Sequence, residues 1–184
     1  MGYSAIAAKQ GRMLGTVRPV SAGIGESSLD KRLVFNVYNR HIHPLFKVEA
    51  TNSWVYNATA YRVANGNNNN NLQIVVGLPN VELYLYVSFL YSSDTFPQGL
   101  FGSIGEDSTT QSATRILGQE NLLVAPQAGA NYAVAWAKLV KYAPLGFHTY
   151  YWLEYTNATG IHSCYGDNGD SNLLQNGIAG WIIE

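Results

Sequence analysis

NYAVAWAKLVKYAPLGFHTYYWLEYT, residues Asn131 to Thr156, decides the fold class. It reads as two strands around a turn. In the first, Tyr132, Val134, Trp136, Lys138 and Val140 alternate with Ala133, Ala135, Ala137 and Leu139. A period of two puts bulky side chains on one face and small ones on the other. In the second, Phe147, Thr149, Tyr151, Leu153 and Tyr155 oppose His148, Tyr150, Trp152 and Glu154, and neither face is plainly polar. A strand apolar on both sides needs two partners. In an antiparallel fold these are a sandwich core on one side and another subunit on the other.

Working outward, short apolar runs separated by turn residues begin at Leu33 and recur at the spacing of an all-β sandwich or barrel. Strands are predicted at 33–38, 45–50, 54–64, 72–77, 81–91, 114–117, 121–125, 131–141, 147–156, 161–165 and 178–183, enough for two antiparallel sheets. The 81–91 run is the cleanest: Val81, Leu83, Leu85, Val87 and Phe89 form a core face, and Glu82, Tyr84, Tyr86 and Ser88 the other. Asn65 to Asn71 is predicted to be an exposed tip. Residues 92–113 read as a long loop whose Phe96, Leu100 and Phe101 must be covered by something. The closing Trp181-Ile182-Ile183 belongs in a sheet near the core or a symmetry axis. No amphipathic helix of the kind a βαβ fold requires is present. Residues 1–30, rich in Gly, Ala and Ser, read as an extended N-terminal arm, either disordered or ordered by lying across a neighbour, and 31–184 as one β-sandwich domain.

Composition limits the function classes. Charged residues make up 12% of the 184, against about a quarter in an average soluble domain, while the chain carries 13 Tyr and 4 Trp. Interfaces are depleted of charge and enriched in aromatic residues, so this balance favours an obligate oligomer or part of an assembly. A net charge of -1 with scattered Lys and Arg argues against nucleic acid as a partner. Cys164 is alone, so no intrachain disulfide forms. Neither a secretion leader nor a membrane-spanning apolar run is evident, which predicts synthesis in a cytoplasm without membrane insertion.

Chemistry-bearing residues are few. His41 and His43 share a side of an extended segment, half of a metal site without a third ligand. His148, His162 and Cys164 could meet across the Asn157 hairpin. Asp167-Asn168-Gly169-Asp170 has calcium-type ligands but lacks the distal Glu, and an Asx-rich turn is the simpler reading. Glu82 and Glu154 could be the paired carboxylates of a glycosidase, or merely strand residues with hydrogen-bonding neighbours. No nucleophile elbow, phosphate loop or HExxH is present. The sequence therefore predicts no catalytic residue, no cofactor and no metal.

The block Leu145-Gly146-Phe147-His148-Thr149-Tyr150-Tyr151-Trp152-Leu153-Glu154-Tyr155, then Tyr165-Gly166-Asp167-Asn168-Gly169 and Gly177-Ile178-Ala179-Gly180, resembles the ends of small tail-fibre, head-fibre and decoration proteins of tailed bacteriophages. The resemblance covers about the last fifty residues. It implies a homotrimer of tumour-necrosis-factor-like jelly rolls with aromatic strands around the three-fold axis. It further implies a non-enzymatic structural protein on the virion surface, either capsid decoration (cement) or head fibre, bound to the major capsid protein. On that reading Tyr84, Tyr86, Trp136, Tyr150, Trp152 and Trp181 are interface or core, and Lys9, Arg12 and Arg18 of the arm dock on the capsid. The alternative is a receptor-binding knob of a tail fibre or spike, holding host glycan through Asn68, Asn69 and Asn157 or the Tyr84–Tyr86 face.

Overall fold

The computed structural model describes residues 14–38, 40–94, 99–114, 120–124, 129–157, 160–167, 169 and 175–183, with side chains omitted at 120–124 and 129–131. Among these residues the strands are, in chain order, β1 (Gly15–Val17), β2 (Pro19–Ser21), β3 (Ile24–Gly25), β4 (Lys31–Arg32), β5 (Val34–Asn36), β6 (Ile42–Val48), β7 (Ser53–Val55) and β8 (Arg62–Val63). They continue as β9 (Asn71–Val76), β10 (Val81–Ser93), β11 (Gly99–Glu106), β12 (Glu120–Val124), β13 (Gly129–Ala143), β14 (Gly146–Thr156), β15 (His162–Tyr165) and β16 (Gly177–Ile183).

Eight of them build two antiparallel sheets. One has the order β6-β16-β10-β13 and the other β9-β14-β11-β12. Counting only these eight along the chain, the first sheet takes strands one, eight, three and six, and the second takes two, seven, four and five. That order is a jelly roll, the double Greek key in which the chain wraps alternately between facing sheets. β12 also bonds β13 through the pairs Glu120 with Ala137 and Asn121 with Trp136, which closes one edge of the sandwich.

The core follows from the alternation in β10. Val81, Leu83, Leu85, Val87 and Phe89 are all buried and meet Leu72, Ile74, Leu100, Ile104, Tyr150 and Trp152 from the opposite sheet. The Trp152 ring lies 5.1 Å from Phe89 and 5.9 Å from Trp54, ring centre to ring centre. These large rings take the space between the sheets. The neighbours of Phe89 and Val87 on β13 are accordingly Ala135 and Ala137, both fully buried. The small face of β13 turns inward and its bulky face turns outward.

Three sequence expectations need correction. Residues 92–113 are not a long loop, because Gly99–Glu106 is β11, in the interior of the second sheet. Two of its glycines answer to close approach: a Cβ on Gly102 would stand 3.0 Å from the Phe89 ring, and one on Gly105 2.1 Å from the Ser108 carbonyl oxygen, where the chain folds back. The run at 54–64 is two short strands, β7 and β8: Tyr56 N still extends the pairing with β15 through the His162 carbonyl (3.1 Å), then the chain bends at residues 59–60 and β8 pairs with β14 instead. The Asn tip is only partly exposed. Asn70 is buried, with its amide donating to Glu49 Oε2 (2.7 Å) and to the Ala64 carbonyl (3.0 Å). The strand predicted at 114–117 falls at 115–117 outside the described residues.

β14 finds cover on both faces within this chain. Tyr150 and Trp152 face the core, while Leu153 and Thr149 on its other side are also buried. The 107–114 segment lies over this outer side, bonded through Ala113 N to the Ile104 carbonyl (2.7 Å) and through Ser103 Oγ to Ser112 Oγ (2.6 Å). From the N-terminal segment, Arg18 sets its guanidinium 3.3 Å over the Phe147 ring and β4 pairs with β9. The outer side of the β6-β16-β10-β13 sheet has no such cover among the described residues.

Candidate interaction surface

That uncovered face can be read as rows across four strands, because antiparallel partners point to the same side. Ile42, Ile183, Glu82 and Tyr142 form the first row, and Pro44, Trp181, Tyr84 and Val140 the second. Phe46, Ala179, Tyr86 and Lys138 form the third; Val48, Gly177, Ser88 and Trp136 the fourth. β10 and β13 continue the face with Leu90 and Val134, then Ser92 and Tyr132. In the four rows only Glu82 and Lys138 carry charge. The large side chains stand open: Ile42 is 62% exposed, Tyr142 61%, Val140 57%, Tyr132 56%, Tyr86 43% and Phe46 41%.

The surface has relief. Tyr84 and Trp181 stack with ring centres 5.8 Å apart and planes within 18°, forming a raised pair. Hollows lie on either side of it. One of about 480 Å³ is floored by Gly177 and Ala179 and walled by Phe46, Tyr86 and Trp181. The other, about 410 Å³, lies between Trp181, Glu82, Val140 and Tyr142. The small residues of β16 create the first hollow, since Gly177 and Ala179 leave the sheet backbone bare between two aromatic walls. A contiguous apolar surface with hollows and a polar rim is the form of an interaction site, and monomeric proteins rarely leave one open.

Of the predicted interface or core residues, Tyr84, Tyr86, Trp136 and Trp181 therefore share this face, while Tyr150 and Trp152 are fully buried in the core. Ile42, Phe46 and Tyr142 also belong to it and were missed by sequence reasoning; only Tyr142, continuing the β13 alternation, carried a signal. Lys9 and Arg12 lie outside the described residues. Asn68, Asn69 and Asn157 are exposed and lie outside these rows.

The Asn loop is built around Glu49. Its carboxylate accepts from Asn70 (2.7 Å), Asn67 (3.2 Å), Thr51 Oγ1 (2.7 Å) and Thr51 N (2.9 Å). Burial alone would raise its pKa, but these donors outweigh it and hold the group at about 2. The folded value is depressed below the ordinary range, so Glu49 contributes stability above about pH 4.5 that is lost as pH falls toward 2. The thermal midpoint should fall between pH 4.5 and 2.5 in the native protein, and the fall should be shallower in Glu49→Gln. Equal slopes would show that other carboxylates govern the acid limb.

The remaining candidates do not assemble into a reactive centre. His148 Nδ1 contacts Asp107 Oδ2 (2.7 Å), whereas His162 is buried beside Asn57, so the two do not meet across the hairpin. The His41 and His43 rings lie 3.9 Å apart, and no group of three metal-ligating side chains occurs among the described residues. Gly169 N donates to Asp167 Oδ1 (2.9 Å), an Asx turn; Asn168 and Asp170 lie outside the described residues. Glu82 is exposed on one sheet and Glu154 is buried in the other, so they are not a carboxylate pair. Glu154 instead accepts from Trp54 Nε1 (2.8 Å), Arg62 Nε (2.8 Å) and Asn65 N (3.2 Å). Burial lifts its pKa, offset in part by Trp54 and Arg62, and burial raises the adjacent Cys164 thiol well above its ordinary value. That thiol is an inert core group.

No protein-family model matches the chain and no curated protein matches it. Among solved structures it is similar to the structure of Eiger TNF from S. frugiperda, with a TM-score of 0.40 and 8% identity over 79% of this chain and 92% of that one. The jelly-roll assignment rests on the strand order of the two sheets, independently of that likeness.

Proposed function

We propose that this chain is a non-enzymatic structural protein of a bacteriophage virion, a capsid decoration or head-fibre protein that works as a homotrimer. The observation that carries the reading is the open aromatic face of the β6-β16-β10-β13 sheet, with two charged residues in four rows. Burying such a face against copies of itself removes it from water and leaves the polar sandwich ends free for other contacts. The resemblance of the C-terminal block to phage fibre and decoration proteins supports the virion assignment. A trimer at a junction of capsomers binds only the assembled shell, so it stabilises that state by mass action, and three arms raise the effective concentration of each contact. The protein is then made in the host cytoplasm and resides on the virion surface.

The test is co-sedimentation of the full-length protein, and of a variant lacking residues 1–13, with empty capsids of the phage that carries it. The full-length trimer should sediment with the capsids and the shortened trimer should not. If neither binds capsids but both bind host cells, the receptor-binding knob replaces the decoration reading. One feature favours that second reading: the Glu49 network fixes the loop that presents Asn68 and Asn69, as a glycan contact would need.

A further inference from the structure

The two charges on the aromatic face can be assigned a role. Glu82 is exposed and makes no hydrogen bond or ion pair with any described residue. Lys138 is also exposed; its Nζ stands 6.0 Å from the Trp136 ring centre and meets no carboxylate among the described residues. The other lysines near this sheet are engaged, Lys47 with Asp30 (3.3 Å) and Lys141 with Glu106 (2.7 Å). Glu82 and Lys138 cannot serve each other within a chain. Lys138 lies opposite Tyr86, four residues along β10 from Glu82, roughly 13 Å at the rise of a strand.

An unpaired charge buried in an apolar interface is costly, and a truncated or mismatched pair loses the contact. A covering surface must therefore bring a cation to Glu82 and an anion to Lys138, in an otherwise apolar and aromatic frame. A second copy of this same face meets both requirements. We propose that Glu82 of one copy pairs with Lys138 of the next and sets the register of the subunit contact, with the aromatic residues supplying the buried area. This rests on the self-association proposed above and deepens it. Because the pair joins two different positions, variants at the two positions can be mixed to report how many copies close the assembly.

The test is charge reversal at these exposed positions, read by light scattering with circular dichroism as the fold control. Glu82→Lys and Lys138→Glu should each weaken assembly at least about a hundred-fold. The double variant Glu82→Lys/Lys138→Glu should restore native mass. Mixing the two single variants reports symmetry. Their unlike contacts are complementary and their like contacts repel, so an even ring or a two-fold dimer can alternate, but a ring of three always keeps one repelling contact. For the trimer, the double variant reassembles and the mixture does not.

A native trimer that survives both single reversals, or a natively folded double variant that stays monomeric, overturns the pair while self-association stands. A mixture that reassembles into an even-numbered complex overturns three-fold closure. A native chain that is itself monomeric overturns the self-association reading beneath both, and the unmutated protein alone shows it.

Discussion

Trp181→Glu should yield soluble, natively folded monomers. Trp181 stacks on Tyr84 and stands between the two hollows of the aromatic face, half-buried in the single chain. Central aromatic residues of this kind dominate interface energetics, with losses of about 2–4 kcal/mol on truncation, and an added carboxylate increases the cost. The fold should tolerate the change because the side chain points away from the core. Trp152→Ala is the contrasting case: that ring is fully buried against Phe89 and Trp54, so its loss should cost about 3–5 kcal/mol of folding stability. Light scattering and thermal melting separate the two. If Trp181→Glu remains assembled, the face is not the subunit contact.

Arg62→Met should be the most damaging change at the end of the sandwich. Glu154 is fully buried and Arg62 is its one ion-pair partner among the described residues, while the guanidinium also lies 3.9 Å over the Tyr56 ring. Removing one partner of a fully buried pair costs about 3–5 kcal/mol; the Arg62 side chain is 36% exposed, so water screens part of the interaction and the loss should be smaller, about 1–3 kcal/mol. The sign of the pH dependence distinguishes this from lost packing. Burial already raises the Glu154 pKa and Arg62 opposes that rise, so the variant raises it further. A carboxyl whose folded pKa lies above its unfolded value favours folding below the unfolded value, and this advantage is lost as pH rises through the folded one. The variant should therefore be much weaker than the native protein at pH 8 and closer to it at pH 5. Adding Glu154→Gln should remove most of that slope. A deficit independent of pH would mean that the stacking on Tyr56, and not the charge, is what Arg62 contributes.

Much of this architecture was legible in the sequence, and the failures have physical reasons. Period-two alternation located β10, β13, β14 and β16 within one or two residues, because each has one face fixed by the core. Alternation does not say which face is inside. In β13 the bulky residues point outward, since Phe89 from the neighbouring strand and Trp152 from the opposite sheet already fill the space and only Ala135 and Ala137 fit beneath them. In β14 the same ambiguity made Tyr150 and Trp152 equally good as core or interface. β11 was hidden because Gly102 and Gly105, demanded by close ring and backbone approach, look locally like turn signals. Ile42 and Phe46 carried no sign of belonging to the aromatic face, which depends on β6 pairing with the distant β16. The Arg62–Glu154 pair spans 92 residues and was equally invisible.

The central claim is that the open aromatic sheet is a self-association surface, and the mass of the unmodified protein in solution tests it most directly. Sedimentation equilibrium at micromolar concentration should give three times the 20.2 kDa of the chain, with no dissociation on moderate dilution. A natively folded species of 20.2 kDa would contradict it.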